Sequence, residues 1–487
     1  MLTGAVTKHP LAPLFWDEPA LWAWVDNAFH GESLIVLANR GPAAFDLEGA
    51  ERSVARDGST GLVNSRPRLR RVTVTPQVEQ GHYHGFCDEG LWPLCHRTPV
   101  RPTFREHDFQ IYSVANAQWV AALCQEVTTD SPVVLVQDYH LALAPRMIRA
   151  RFPRAALVTF WHVPFPSPAA LSACPWEREL IEGLLGSSVV GFQTLEDRKN
   201  FLDAAVCILD ADVDRDESVV SYGTHSTRVG VYPASVEWPH PWALQSPSIE
   251  VCRAVVRQRF GLGPDTRLIA GMDRLDYTKG LLQKLFALER LLITQPECRG
   301  KVVLVQVAEP SRSSLPTYRD YRTHLYRTAE RINQRFRARG YDPIVLLERR
   351  MGENEVFELY RAADVCYVGS LHDGMNLVSK EFVSARDDER GVLVLSEFAG
   401  AARELSEALF INPYLSDCCG RTLADALTMT AAEQARRMQA LRAVVKAGNA
   451  YKWARDILAD AAAERAHSRE SLQARRRVSA VAMNALT

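Results

Sequence analysis

Short runs of aliphatic and β-branched residues recur along this chain, and between them apolar residues fall at the three-to-four spacing of amphipathic helices. In the first half the runs are Leu34 to Ala38, Val133 to Gln137, Ala156 to Trp161, Val189 to Gln193 and Val229 to Pro233. In the second half they are Leu268 to Met272, Val302 to Val307, Ile344 to Leu347, Val365 to Gly369 and Val392 to Ser396. A run that is apolar at every position suits a strand covered on both faces, and helix-length segments between such strands serve as crossover connections in a parallel sheet. The pattern predicts an α/β fold.

The segment PASVEWPHPWALQSP, from Pro233 to Pro247, holds four prolines counting both ends. That density opposes helix and central strand alike, so the segment reads as a linker between two domains. A chain of 487 residues also exceeds what one core usually organises. The expected division is an N-terminal extension over 1–32, a first domain over 33–235, a second over 249–448 and a C-terminal segment over 449–487. Within the extension, FWDEPALWAWVDNAF has the pattern of an amphipathic helix, which is expected to dock on the first domain. Helices are expected around Ala431 to Lys446 and Ala450 to His467, and the Arg-rich end ARRRVSAVAMNALT is expected to fray. Two open α/β sheets joined by one linker leave a cleft at the carboxyl ends of their strands, where ligands bind.

Composition narrows the partners. Hydrophobic residues make up 47% and charged residues 24%, an ordinary globular balance. With 57 basic and 58 acidic side chains the formal charge is −1, so no global field draws nucleic acid or anionic membrane, and any anion site is local. The ten cysteines show no disulfide or zinc spacing and read as reduced, mostly buried thiols; a redox-active Cys418-Cys419 pair is the weaker alternative. No apolar run is long enough to span a bilayer, and the start MLTGAVTKHPLAPLFW lacks the apolar segment of a leader, so a cytoplasmic location is expected. Homo-oligomerisation is left open.

The segment GMDRLDYTKG, Gly271 to Gly280, follows a strand run and opens a helical pattern. Arg274 and Lys279 there put two cations beside a helix N-terminus, whose unpaired amides already favour an anion, as a diphosphate site requires. The plainer alternative is a surface pair neutralised by Asp273 and Asp276. A second strand-to-helix loop, LHDGMNLVSKEFVSAR, begins at Leu371. Gly374 would let the backbone approach a ligand, and the amides of Asn376, Leu377 and Val378 would face phosphate oxygens. Glu381, about two turns beyond Asp373, would reach a ribose while Asp373 faces the transferred sugar. The plainer alternative is a capped helix with Asp373 as its N-cap.

The first domain offers VQDYH, with Asp138 and His140, and FWHVPFP, with His162, at strand ends suited to gripping sugar hydroxyls. A satisfied core histidine is an equal alternative for His162. Arg40 in LANRG and Arg312 in VAEPSRSS are of the type that recognises a phosphate bidentately. The alternating carboxylates of LDADVDRD mimic a calcium loop, but Arg215 and Ser221 stand where such a loop needs glycine and glutamate, so a solvated loop is expected.

These motifs, with NRGP, GFCDEGLWPLCH, GFQT and VLVLSEFAGAARE, occur in an order that resembles the trehalose-6-phosphate synthase family, glycosyltransferase family 20, from about Leu34 to Trp453. The resemblance implies two Rossmann-like domains of GT-B type, with nucleotide sugar on the second and a last helix, in 449–487, crossing back to the first. It implies UDP-glucose as donor and glucose 6-phosphate as acceptor, without metal or other cofactor. Residue by residue, it assigns Arg274 and Lys279 to the donor diphosphate, Glu381 to the ribose, and Asp373 and His162 to the donor sugar. It assigns Asp138 to acceptor hydroxyls, and Arg40, Tyr83, Trp92 and Arg312 to the acceptor and its phosphate; Tyr83 and Trp92 otherwise read as core aromatics. The chain departs from the family after DGSTGLV, where NSRPRLRRVTVTP follows at once and a stretch with a glycine pair and an acceptor-binding tryptophan is missing. Two alternatives therefore stay open: another phosphorylated acceptor such as glycerol 3-phosphate, or a non-catalytic, nucleotide-sugar-binding regulatory partner. The base of the donor nucleotide is not readable from the sequence.

Overall fold

The computed structural model describes residues 16–39, 43–44, 55–56, 70–337 and 341–484, with side chains for 16–39, 70–337 and 341–467. Arg40 and the shortened segment after Val63, up to Leu69, lie outside the described residues.

Two sheets carry the fold. The first comprises β1 (Leu34–Ala38), β2 (Val133–Gln137), β3 (Ala156–Phe160), β4 (Val189–Phe192), β5 (Asp212–Asp214), β6 (Val219–Tyr222) and β7 (His225–Val231), in the order β1-β2-β3-β4-β7-β6-β5. Strands β1 to β4 and β7 run parallel, and β2, β3 and β4 are buried at every position, which is why their sequences are apolar except at Gln137 and Thr159. Strands β5 and β6 add an antiparallel edge. The carboxylate-rich LDADVDRD therefore contains a strand, not only a loop: Asp212 and Asp214 point to solvent from an edge strand while Val213 faces inward.

The second sheet comprises β8 (Arg267–Arg274), β9 (Val302–Glu309), β10 (Ile344–Leu347), β11 (Val365–Val368), β12 (Val392–Ser396) and β13 (Leu409–Ile411), all parallel, in the order β10-β9-β8-β11-β12-β13. Counted within its own series this is the 3-2-1-4-5-6 order of dinucleotide-binding sheets, whose order reverses between β8 and β11. The loops after those two strands are the ones bearing Arg274 to Lys279 and Asp373 to Val378.

Helices seal both sheets. Helix α1 (Glu18–Phe29), capped by Asp17, turns Leu21, Val25 and Phe29 inward. Helix α2 (Leu281–Thr294) buries Leu281, Leu285, Leu288 and Leu292, one stripe along its length. Helix α3 (Leu377–Ala385) starts beside the switch point, and α4 (Ala450–Asn484) returns to the first sheet. Leu21, Val25 and Phe29 share a core cluster with Ile457 and Leu458 of α4 and with Val133, Val158 and Val189 of the first sheet. Trp453 Nε1 donates to the Tyr232 carbonyl at 3.1 Å, and Arg228 pairs with Glu464 at 2.7 Å.

Two local expectations are corrected. The proline-rich linker contains a short helix, Pro241–Gln245, because Pro241 falls at its first positions, where a missing amide hydrogen costs nothing. The Arg-rich end does not fray within the described backbone: α4 continues to Asn484.

Candidate active site

The carboxyl ends of three neighbouring strands of the second sheet converge on the cleft. After β8, Arg274 is partly exposed, and among the described residues no carboxylate lies within ion-pair range of it. Its guanidinium instead lies 5.2 Å from the centroid of the Trp92 ring. The plainer reading, in which Asp273 and Asp276 neutralise Arg274 and Lys279, fails. Asp273 is buried against Lys284 Nζ at 2.5 Å and Gln306 Nε2 at 2.9 Å, and Asp276 accepts from Arg312 at 2.8 Å and from Tyr318 at 3.1 Å.

Lys279 is buried and its Nζ donates to Asp373 Oδ2 at 2.6 Å. Burial alone would raise the Asp373 carboxyl, but the charge and hydrogen bond of Lys279 hold it well below the usual carboxylate range. Lys279 and Asp373 thus neutralise each other across the switch point. Gly280, with φ +65°, provides the left-handed residue that starts α2; a Cβ there would lie 2.0 Å from the Gly369 carbonyl.

After β11 the N-cap of α3 is Asn376, not Asp373. Its side chain accepts from the Ser379 amide at 3.1 Å, while Asp373 is drawn off by Lys279 and by Ser370 Oγ at 3.0 Å. The amides of Leu377 and Val378 open the helix, where no preceding turn can bond them. Glu381, partly exposed on the same helix, accepts from Tyr360 OH at 3.0 Å, and burial pushes its carboxyl up to about 7. At Gly374 a Cβ would lie 2.1 Å from the His162 carbonyl oxygen. The bare backbone there admits the other domain.

Opposite, Asp138 follows β2 directly at φ 71° and ψ 169°, a region that residues with side chains rarely adopt. Its Oδ1 accepts from the His162 amide at 3.1 Å, and burial raises its carboxyl above the ordinary value. The His162 ring is bonded by Gln137, and burial lowers its basicity. Tyr83 lies on a π-helical segment, Glu79–Leu91, with its ring stacked 5.6 Å from that of His140. Trp92, 4% exposed, places its ring 4.0 Å from the Arg312 guanidinium.

Arg312 does not present a free fork. Its Nε donates to Asp88 Oδ1 at 2.6 Å and its Nη1 to Asp276 Oδ2 at 2.8 Å, because a buried guanidinium without counter-charges would be untenable. Asp88, Asp276, Tyr318 and Gln137 were thus missed as members of this cluster; Asp276, two residues from Arg274, is the one with a local signal. Beside Asp373 a cavity of about 340 Å³ opens between the domains, lined by Arg97, Thr194 and Glu196 on one side and His372, Phe398 and Arg403 on the other. Among the described residues no group of three or more His, Cys, Asp or Glu could hold a metal ion, and no helix is long and apolar enough to cross a membrane.

Two Rossmann-like domains facing one cleft, with cations and a helix N-terminus at the switch point of the second, define a glycosyltransferase architecture of GT-B type. The family model described as glycosyltransferase family 20 matches residues 48–463, and the chain belongs to that family. It is 36% identical over 401 residues to a bifunctional trehalose-6-phosphate synthase/phosphatase of Thermoproteus tenax, covering 81% of this chain but only 54% of that protein. It is 35% identical to a UDP-forming alpha,alpha-trehalose-phosphate synthase of Aspergillus fumigatus, covering 80% of this chain and 81% of the relative. A solved alpha,alpha-trehalose-phosphate synthase (UDP-forming) of Burkholderia xenovorans, in complex with glucose-6-phosphate, superposes with a TM-score of 0.75 at 33% identity, covering 80% of this chain and 86% of that one.

Proposed function

We propose that this chain transfers glucose from UDP-glucose to glucose 6-phosphate with retention, giving α,α-trehalose 6-phosphate and UDP. The observation that supports the reading is that Arg274, Lys279 and the first amides of α3 stand at the order reversal of the second sheet, an arrangement suited to a diphosphate. The relatives' names supply the substrates.

In this reading Lys279 exchanges Asp373 for the donor diphosphate, and the freed Asp373, with His162, takes the hydroxyls of the transferred glucose. Glu381 accepts from the ribose, and Asp138, Tyr83, Trp92, Arg40 and Arg312 serve the acceptor. The bond from the anomeric carbon to the phosphate oxygen breaks, and the acceptor hydroxyl attacks from the same face. Its proton passes to the departing phosphate oxygen. Arg274, Lys279 and the amides of Leu377 and Val378 stabilise the charge that develops there, a role that fixed donors fill without reorganising. No divalent metal is assigned a part. The domains are bounded as 33–235 and 249–448, and ten unpaired cysteines support a reducing, cytoplasmic setting.

The test is product formation from UDP-glucose and glucose 6-phosphate in EDTA, with the product identified by NMR. Trehalose 6-phosphate is expected, with Arg274→Ala lowering the rate by about a hundredfold or more, as for other removed oxyanion donors. Binding of UDP-glucose without turnover on glucose 6-phosphate or glycerol 3-phosphate would overturn the enzymatic reading, and loss of activity in EDTA would overturn the metal-free one.

A further inference from the structure

Arg312 has two carboxylates for its single charge. Asp276, on its own domain, is satisfied independently: it also accepts from the Thr278 amide at 2.9 Å and from Tyr318 OH at 3.1 Å. Asp88 comes from the first domain, is 2% exposed, and among the described residues has one other side-chain partner, His84 Nδ1 at 3.3 Å, one turn earlier on the same segment. Two further donors nearby, Trp92 Nε1 and Tyr139 OH, are buried without a hydrogen-bond partner among the described residues, although the Trp92 ring lies 4.0 Å from the Arg312 guanidinium. Orphaned donors beside a guanidinium whose Nε is occupied by a carboxylate describe a site shaped for anionic oxygens and closed by the chain's own anion.

We infer that Asp88 is a specificity-determining residue, a built-in competitor that holds Arg312 until the phosphate of the acceptor displaces it. The inference rests on the reading that Arg312 serves the acceptor phosphate. On binding, the Asp88–Arg312 hydrogen bond is exchanged for a phosphate–Arg312 bond, Asp276 keeps its place, and Asp88 retains His84. A phosphate dianion arriving beside an ionised Asp88 meets like-charge repulsion, so Asp88 weakens phosphorylated acceptors and leaves neutral sugars unaffected. Asp88→Asn removes that charge, keeps an oxygen for Arg312 Nε, and leaves the guanidinium balanced one-to-one by Asp276.

The experiment is calorimetric titration of the full chain, saturated with UDP, with glucose 6-phosphate and with glucose. Asp88→Asn is expected to bind glucose 6-phosphate about tenfold tighter than the unsubstituted chain and glucose with unchanged affinity. Asp88→Ser, which also lacks the charge, repeats the measurement should the asparagine variant melt early. Unchanged or weaker binding of glucose 6-phosphate, an equal gain for both sugars, or no binding of glucose 6-phosphate to any form would each overturn the proposal. Failure of the functional reading shows separately: the unsubstituted chain would make no trehalose 6-phosphate, whatever Asp88→Asn does to phosphate affinity.

Discussion

Alanine at Gly374 tests whether the closed cleft is the reactive one. The added Cβ would lie 2.1 Å from the His162 carbonyl oxygen and 3.2 Å from Val163 Cα, both backbone atoms that no rotamer change can move. Carbon–oxygen contacts of this type are ordinarily about 3.3 Å or longer, so the domains must part by roughly 1 Å at this point. Retreat in the other direction is closed as well, since the Gly374 carbonyl already packs on Gly400, where a Cβ would lie 1.8 Å away. A parting of that size stretches the 2.6 Å bond between Arg312 and Asp88 out of hydrogen-bond range, a loss of about 1.5–3 kcal/mol for a charged pair. It also displaces Asp138 and His162 from Arg274 and Lys279, and about 1 Å of misplacement costs on the order of a hundredfold in rate. The assay is the initial rate of trehalose 6-phosphate formation at saturating substrates, beside a calorimetric Kd for UDP. The expected result is a kcat lower by about a hundredfold with a UDP Kd changed by less than about threefold, because the nucleotide determinants sit within one domain. Turnover within a few-fold of the unsubstituted chain would refute the argument and show that catalysis proceeds without the His162–Gly374 approach.

Glu381 predicts a pH dependence. Its folded-state carboxyl titrates at about 7, above the ordinary value, so the fold keeps a proton there that the unfolded chain has released; this stabilises at low pH and is lost as pH rises through about 7. A ribose hydroxyl needs the ionised form, so the difference in UDP affinity between the unsubstituted chain and Glu381→Gln should widen in favour of the former from about pH 6 to about pH 8, and parallel profiles would count against the assignment. Phe29, fully buried between α1 and α4, should cost about 3–5 kcal/mol on replacement by alanine, read from the urea midpoint; a change under about 1 kcal/mol would mean that α1 is not docked in solution.

What the sequence revealed, and what it hid, follows from the range of the interactions. Fully buried parallel strands are apolar at nearly every position, so β2, β3, β4 and β12 could be read as strands directly. The switch-point loops were legible because cations, glycine and asparagine stand where strand gives way to helix. The β5–β6 hairpin was not, since an edge strand that is wet on one face carries carboxylates a loop would also carry.

The charge pairing within the site was not legible from sequence spacing. Arg274 and Asp276 stand two residues apart and look like partners, and Asp88 stands 224 residues from Arg312 and looks unrelated to it. Sheet order reverses both impressions. Placing β9 beside β8 brings the Arg312 loop onto Asp276, which takes that carboxylate away from Arg274, and closing the domains brings Asp88 onto the other edge of the same guanidinium. Arg274 is thereby left as a partly exposed cation without an ion pair among the described residues, its guanidinium 5.2 Å from the Trp92 ring centroid. Arg274, with no carboxylate in ion-pair range among the described residues, is open to an anion from outside, whereas Arg312 already holds two carboxylates, one from each domain.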